Sequence, residues 1–361
     1  PILTKDIINK NKDAFRPLDL NRINYNLRST GGTTGTPLNY RITNYDRFLG
    51  GALMYRGWGY AGYDLGDKMI FLGGASLDVG TNTNFSTLLH EFTRNLKKLS
   101  SFDMEDKALK KYVKTINSFK PKYIRGYASS IHYFANWIKE NDVKLQNLDA
   151  VFTTADQLFP YMRNKIEDVF NCPVFDNYGL NDGGISAYEC EEHNGLHIDM
   201  ERSIMEVVTE DLNQLESGEG NLLATSLYNY AMPFIRYDTG DLGVTTDENC
   251  SCGKPFPLLK ELHGRSVDLF MTPEGKRVHG WFFLYVFWRY NKGIIKYQVV
   301  QETINDIIIY LIVNDEFDNI QLDIIENIIK KKSLKWRVKY RFVKEIPSSK
   351  SGKHKFIKSR V

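Results

Sequence analysis

The chain has 361 residues, with 47 Lys and Arg against 44 Asp and Glu and a net charge of +3; that length suggests about two domains and a sizeable core. Four cysteines are too few for a secreted disulfide scaffold. No apolar run reaches the roughly 18 residues a membrane span needs. The longest, Trp281–Trp288, falls far short, and the N-terminus does not read as a signal peptide, so a cytoplasmic protein without a membrane span is expected.

Pro1–Leu27 offers one short helix after Thr4. Residues 29–37, STGGTTGTP, then place three glycines and five hydroxyl side chains in nine positions. Gly31, Gly32 and Gly35 permit positive φ, and successive inward N–H groups form an anion-binding concavity. Ser29, Thr30, Thr33 and Thr34 add donors without bulk. Such a loop suits a polyphosphate, and its composition fits a solvated turn between strands equally well. It lacks both the Gly-Lys-Ser/Thr ending of a Walker loop and the GxGxxG dinucleotide pattern.

Leu38–Ile42 reads as a strand. Asp46–Trp58 reads as a helix with Phe48, Ala52 and Tyr55 on one face, and Lys68–Leu72 as a buried strand. Phe85–Leu99 has Leu88, Leu89, Phe92 and Leu96 at helical core spacing, and Met104–Phe119 follows as a second helix. Strands at Tyr123–Gly126, Val151–Thr154 and Val174–Asp176 alternate with a helix stripe (Ile131, Phe134, Ala135, Ile138) and a helix at Tyr161–Phe170. This alternation predicts an α/β, doubly wound parallel layer. Ligands in such folds bind beyond the carboxyl ends of strands, which singles out Thr153–Asp156 and Tyr178–Asp182. A Tyr-Gly pair alone is ordinarily a turn.

Residues 196–244 shift to short β segments at Leu196–Ile198, Ile204–Val208, Asn221–Ser226 and Phe234–Tyr237, then YDTGD. A carboxylate at a tight Thr-Gly turn, here Asp241, can accept both ribose hydroxyls, although an Asp after Gly is usually only a turn residue. From Gly264 on, 19 Lys and Arg face 10 Asp and Glu, a net +9, leaving −6 on the rest. A basic tail could draw nucleic acid, close over a phosphate-rich small molecule, or be a solvated face (Lys330, Lys331, Lys332, Lys335). No nucleic-acid motif supports the first option. Strands at Tyr297–Glu302, Asp306–Val313 and Trp336–Val343, with a stripe of Ile320, Ile324, Ile325 and Ile328, make a compact α+β module ending in PSSKSGKHK. Lys353 there is a point charge in a polar turn, able to reach a phosphate or carboxylate.

Cys190, His193 and His197 lie close together, and Cys250 and Cys252 fall in NCSCG. Cys-x-x-His plus Cys-x-Cys supplies the four N/S ligands of a tetrahedral structural zinc. His193 has the better spacing and His197 is the alternative; free thiols with solvated histidines are the other reading. Cys172, before Pro173, reads as core. No preorganised base marks a catalytic cysteine.

The glycine loop at one end and PSSKSGK (347–353) at the other resemble the adenylate-forming superfamily of acyl- and aryl-CoA synthetases, from Ser29 to Lys355. YGLND (178–182) is similar to that family's Tyr-Gly-x-Thr-Glu, YDTGDL (237–242) to its Tyr-x-Thr-Gly-Asp-Leu, and GRSVD (264–268) to its domain boundary. TTAD, the Cys-Ser-Cys-Gly turn and KYQVVQ resemble the phenylacetate–CoA ligase branch and its relatives in bacterial polysaccharide biosynthesis.

The resemblance implies a large N-terminal domain, 1–263, with doubly wound mixed sheets and a small β subdomain. It also implies a small, mobile α+β domain, 264–361, carrying catalytic Lys353. ATP would be held by Ser29, Thr30, Gly31, Gly32, Thr33, Thr34 and Gly35, with Thr154, Asp156, Tyr178, Gly179 and Asn181 near the adenine, Asp241 on the ribose and Arg265 on the nucleotide. Asp182 would hold Mg²⁺. Leu38, Asn181, Asp182 and Val267 depart from the family's Lys, Thr, Glu and acid. The implied activity is AMP-forming activation of a small carboxylic acid, followed by transfer to a thiol, coenzyme A. Transfer to an amine, or nucleotide binding without catalysis, are the alternatives. Relatives usually carry more residues before the glycine loop, so some N-terminal residues are expected to be missing. The oligomeric state leaves no sequence signal.

Overall fold

The computed structural model describes residues 1–30, 38–74, 77, 79, 85–102, 104–209, 211–265, 269–290, 292–347 and 354–361. They divide into two compact units, Pro1–His263 and the described residues from Gly264 on. The first opens with α1 (Lys5–Lys10), whose start is capped by Thr4 Oγ1 accepting from Ile7 N at 3.3 Å. The antiparallel hairpin β1 (Tyr25–Ser29) and β2 (Asn39–Thr43) leads into α2 (Asn44–Gly59). Thr43 Oγ1 accepts from Asp46 N at 3.1 Å and caps α2.

Strands and helices then alternate: β3 (Met69–Gly73), α3 (Phe85–Thr93), β4 (Leu96–Ser100), α4 (Asp106–Phe119), β5 (Tyr123–Tyr127), α5 (Ala128–Glu140), β6 (Ala150–Thr154), α6 (Pro160–Phe170) and β7 (Val174–Gly179). Parallel pairing joins these strands in the order β4-β3-β5-β6-β7. β8 (Ser186–Glu189), β9 (Leu196–Ile198), β10 (Ser203–Val208), β11 (Gln214–Leu215), β12 (Gly218–Ser226), β13 (Tyr237–Thr246) and β14 (Leu258–Arg265) extend the sheet to 12 strands beyond β7, in the order β8-β9-β14-β13-β12-β10-β11. β8 runs antiparallel to β7, so the sheet is mixed and changes character at β7, the strand that carries Tyr178.

α5 and α2 lie on opposite faces of the parallel part. A Cβ on Gly126 would approach Ile131 of α5 to 3.2 Å. On the other face Trp58 of α2 joins Tyr63, Met69, Tyr123, Phe152 and Phe175 in an aromatic core. A second core, with Tyr40, Tyr178, Ala224, Phe234 and Tyr237, fills the region around β2, β7, β12 and β13.

Three sequence expectations change in this first unit. The helix expected over Phe85–Leu99 ends at Thr93; Asn95 takes φ 49° and Leu96 enters β4. Leu88, Leu89 and Phe92 are exposed, and only Leu96 of that stripe is core. In α2 the fully buried residues are Asp46, Leu53, Gly57 and Trp58; of the expected face Phe48 and Ala52 are exposed, while Tyr55 is half-buried against the aromatic core. The rotation of α2 follows from Asp46, which pairs with buried Arg202, and from Gly57, where a Cβ would sit 2.2 Å from Tyr188 Cγ. Finally, the expected strand Phe234–Tyr237 is the lead-in to β13, so YDTGD lies inside a strand rather than at a turn.

In the second unit β15 (Leu269–Met271) and β16 (Arg277–His279) form a hairpin before α7 (Trp281–Arg289). β17 (Ile294–Gln301), β18 (Asp306–Val313), β19 (Arg337–Phe342) and β20 (Ile357–Ser359) make a mixed sheet in the order β19-β18-β17-β20. α8 (Ile320–Lys330) buries Gln321, Ile325 and Ile329 and leaves Ile320 and Ile324 exposed, a face rotated from the expected stripe. Among the described residues no helix is long and apolar enough to cross a membrane.

Candidate functional site

At the carboxyl ends of β6 and β7 the chain gathers several of the residues singled out by sequence. Thr154, Tyr178, Asp182 and Asp241 are all buried. Tyr178 ends β7 and donates its hydroxyl to Asp241 Oδ2 at 2.8 Å. Tyr237, which starts β13, donates in return to Asp182 Oδ2 at 2.9 Å, just past β7. Each side thus supplies a phenol to the other's carboxylate. Burial, reinforced by the Asp241 charge, holds the Tyr178 phenol well above its ordinary range, so it remains a donor.

Asp241 owes its position to a bulge. Between the Asp238–Leu223 and Leu242–Asn221 pairs, Thr239, Gly240 and Asp241 oppose the single residue Leu222. Gly240 takes φ 74°, Thr239 Oγ1 donates to Leu222 O at 2.8 Å, and Asp241 N donates back to Thr239 Oγ1 at 3.1 Å. Asp182 sits on a loop that closes with Leu180 N donating to Ile185 O at 2.9 Å. Gly183 there has φ 108° and would press a Cβ to 2.6 Å from the Cβ of Ala224, so no larger residue fits. Asp182 offers only oxygen donors, the ligand type a hard divalent cation such as Mg²⁺ takes.

Other candidates take structural partners. Asp156 accepts from Ala128 N at 2.6 Å, from Ser129 N at 3.2 Å and from Ser129 Oγ. It therefore caps α5, which has no side-chain cap of its own. Tyr178 packs its ring within the second core rather than on an open surface. Gly179 closes β7. Asn181 Oδ1 accepts from Arg202 Nη2 at 3.4 Å.

Thr30 closes the base of the glycine loop: its N–H donates to Leu38 O at 2.9 Å and its Oγ1 accepts from Leu38 N at 3.0 Å, next to the Ser29–Asn39 pair. Gly31, Gly32, Thr33, Thr34 and Gly35 lie outside the described residues, as do Val267 and Lys353. Arg265 ends β14, and its side chain is outside what is described.

Sequence reasoning passed over the ion pair behind Asn181. Arg202 donates Nε and Nη2 to the two oxygens of Asp46, both at 3.0 Å, with both side chains buried. A lone arginine 156 positions from its partner gives no local signal.

The cysteine cluster is gathered, with one correction. Cys190, His197, Cys250 and Cys252 bring one ligand atom each within 4.8 Å of one another. Cys190 Sγ lies 3.7 Å from Cys250 Sγ, and Cys252 Sγ lies 3.3 Å from His197 Nε2. Zn–S bonds of about 2.3 Å in a tetrahedron put sulfurs about 3.8 Å apart, so the donor set fits zinc. The fourth member is His197, not His193. β9 pairs His197 with Leu258 of β14 and turns it to the cysteines. His193 adopts φ 50° and puts Nδ1 3.3 Å from Glu189 Oε2, its ring 4.8 Å from that of Phe175. Cys172 is buried, as expected of a core residue.

The CapK C-terminal domain family matches residues 270–360. Protein CapK of Staphylococcus aureus is 28% identical over 99% of this chain and 78% of its own length. The phenylacetate-coenzyme A ligase of Thermus thermophilus is 25% identical over 67% of this chain, which spans 55% of that relative. A 2-hydroxyisobutyryl-CoA ligase, solved in the postadenylation state with R3-HIB-AMP, shares the fold with a TM-score of 0.75 at 17% identity, over 97% of this chain and 78% of that one.

The chain's homologues thus include CapK and a phenylacetate-coenzyme A ligase, and its fold is shared with solved adenylate-forming CoA ligases, which supports the resemblance to the adenylate-forming superfamily. Its relatives are phenylacetate–CoA ligase-like proteins and CapK. Its mixed sheet with a smaller C-terminal unit is the fold of these superfamily ligases.

Proposed function

We propose that this protein activates a carboxylic acid with ATP, forming an acyl-adenylate and pyrophosphate, and then passes the acyl group to a thiol, that of coenzyme A. The observation that carries the reading is the reciprocal pair Tyr178–Asp241 and Tyr237–Asp182, which holds two buried carboxylates at the carboxyl-end rim where sheets of this kind take ligands.

In this reading Asp241 accepts the ribose hydroxyls, and Thr154 and Gly179 flank the adenine. The hydroxyls and N–H groups of Ser29–Gly35 take the phosphates, with Asn181 and Arg265 contributing to nucleotide contact. Mg²⁺, held by Asp182, would neutralise phosphate charge when bound. A carboxylate oxygen of the acid attacks the α-phosphorus, the α–β bridge breaks, and pyrophosphate leaves. Lys353 offsets charge developing on the bridging oxygens, an electrostatic role. The thiol sulfur then attacks the acyl carbon, AMP leaves with the bonding pair, and the thiol proton goes to solvent. The C-terminal domain, 264–361, moves between the two half-reactions. Zinc, held by Cys190, His197, Cys250 and Cys252, would be structural, since these four residues supply a complete set of N/S ligands.

The test is product analysis with ATP, Mg²⁺, a panel of acids, and either coenzyme A or a panel of amines. AMP together with acyl-CoA supports the reading. AMP with amide products would move the acceptor to an amine. ADP in place of AMP would refute adenylation.

A further inference from the structure

Among the described residues, the layer between α2 and the parallel sheet contains a cation without a counter-ion. Arg125 lies on β5, directly opposite Phe71 of β3 and Phe152 of β6, so all three share one face. Its Cζ is 5.2 Å from the ring centre of Trp58 and 5.2 Å from that of Phe71. The ionisable side chains that influence it are the phenols of Tyr188, Tyr127 and Tyr55, with no carboxylate among them. Burial pushes the guanidinium down to about 10, which still leaves it charged at neutral pH. An unpaired charge away from water is costly, and native structures normally pair it.

The same layer holds further unmatched polar atoms. Arg125 Nε, Trp58 Nε1 and Asn177 Oδ1 are buried with no hydrogen-bond partner. Native interiors leave few such groups, and several facing one layer call for a common explanation. Asn177 pairs with Thr154 in register, and Thr154 with Tyr127, so Asn177 and Thr154 stand level at the rim. Arg125 is two strand residues deeper on that face, about 7 Å below the rim. On that face Arg125 is set among aromatic side chains, with the buried Tyr127 between it and the rim on the same strand.

We propose that Arg125 is a binding residue for a second anionic group on the acyl substrate, so that the acid activated carries a further carboxylate or comparable anion at its far end. This rests on the adenylation reading and narrows its substrate class. The aromatic rings of Trp58, Phe71 and Phe152 line the connecting chain. Arg125 Nε and Trp58 Nε1 are donors for the anion. A guanidinium that only braces the layer by stacking would affect stability but would not distinguish a diacid from a monoacid of equal length.

The experiment uses matched pairs: succinate with butanoate, glutarate with pentanoate, and adipate with hexanoate. Wild type, Arg125→Met and Arg125→Gln are titrated with each, following tryptophan emission, with Trp58→Phe assigning the local signal. ATP–pyrophosphate exchange is read on the same set, and circular dichroism confirms that each variant is folded. The expectation is that at least one diacid binds wild type more tightly than its partner. Both Arg125 variants should lose that gap by roughly thirtyfold or more, as for truncation of a buried charge pair, while retaining monoacid binding.

No diacid preference in wild type, or a preference that survives in a folded Arg125 variant, would overturn the proposal. So would an emission response to ATP alone that disappears with Arg125. Exchange with acids at a ratio indifferent to Arg125 would remove this inference and leave adenylation standing. An Arg125-dependent diacid preference in binding without any exchange would do the reverse.

Discussion

The Tyr178 hydroxyl donates to Asp241 Oδ2 at 2.8 Å across 63 residues of sequence. The bond ties the last part of β7 to the bulge of β13 and fixes the direction in which that carboxylate presents its other oxygen. Tyr178→Phe keeps the packing and removes only this donor. It should weaken ATP binding roughly tenfold, or about 1.4 kcal/mol, whereas Asp241→Ala should weaken it further. Calorimetric titration with ATP and Mg²⁺ checks both.

Arg202 and Asp46 form a buried two-pronged pair that sets the rotation of α2 and reaches Asn181. Removing one partner strands the other charge. Arg202→Ala or Asp46→Ala should therefore cost about 3–5 kcal/mol of stability, read as a large fall in denaturant midpoint. The double replacement should cost less than the sum, because the two act as one unit.

That pair also marks where the sequence stops speaking. Strand–helix alternation from Lys68 to Asp176 was legible because it is local, except for β4, which lay hidden at the end of the helix read over Phe85–Leu99, and the rule about carboxyl ends then led to Thr154, Tyr178 and Asp182. Side-chain facing was not legible. Phe48, Ala52 and Tyr55 read as one face of α2, yet only Tyr55 packs on the core, because the helix turns on Asp46 and Gly57, whose partners Arg202 and Tyr188 are far along the chain. Leu88, Leu89 and Phe92 had helical core spacing but are exposed, because the chain leaves the helix at Thr93 and reverses at Asn95. His193 had the better spacing for a ligand, but pairing across β9 and β14 selected His197. Arg125 carried no motif; that it has no carboxylate partner among the described residues is visible only in three dimensions.

Asp176 predicts a pH dependence. Burial, with the Glu189 charge, raises its carboxyl from 3.8 to about 7. Between those values the native state holds a proton that the unfolded chain has released, so stability falls as pH rises from about 4 to about 7 and then levels. Asp176→Asn should flatten the melting temperature against pH across this window. An identical slope in the variant would contradict the assignment.

The metal cluster predicts one zinc per chain, measurable by elemental analysis. Chelation should lower the melting temperature, since a structural site contributes its binding energy to folding. Cys252→Ser and His197→Ala should both lose the metal, while His193→Ala should retain it.

The account's central claim is adenylation, and ATP–pyrophosphate exchange with Mg²⁺ tests it most directly. Labelled pyrophosphate should enter ATP only when a suitable carboxylic acid is present, and Lys353→Ala should abolish the exchange while leaving ATP binding largely intact. Exchange independent of any acid, or exchange undiminished in Lys353→Ala, would contradict the account.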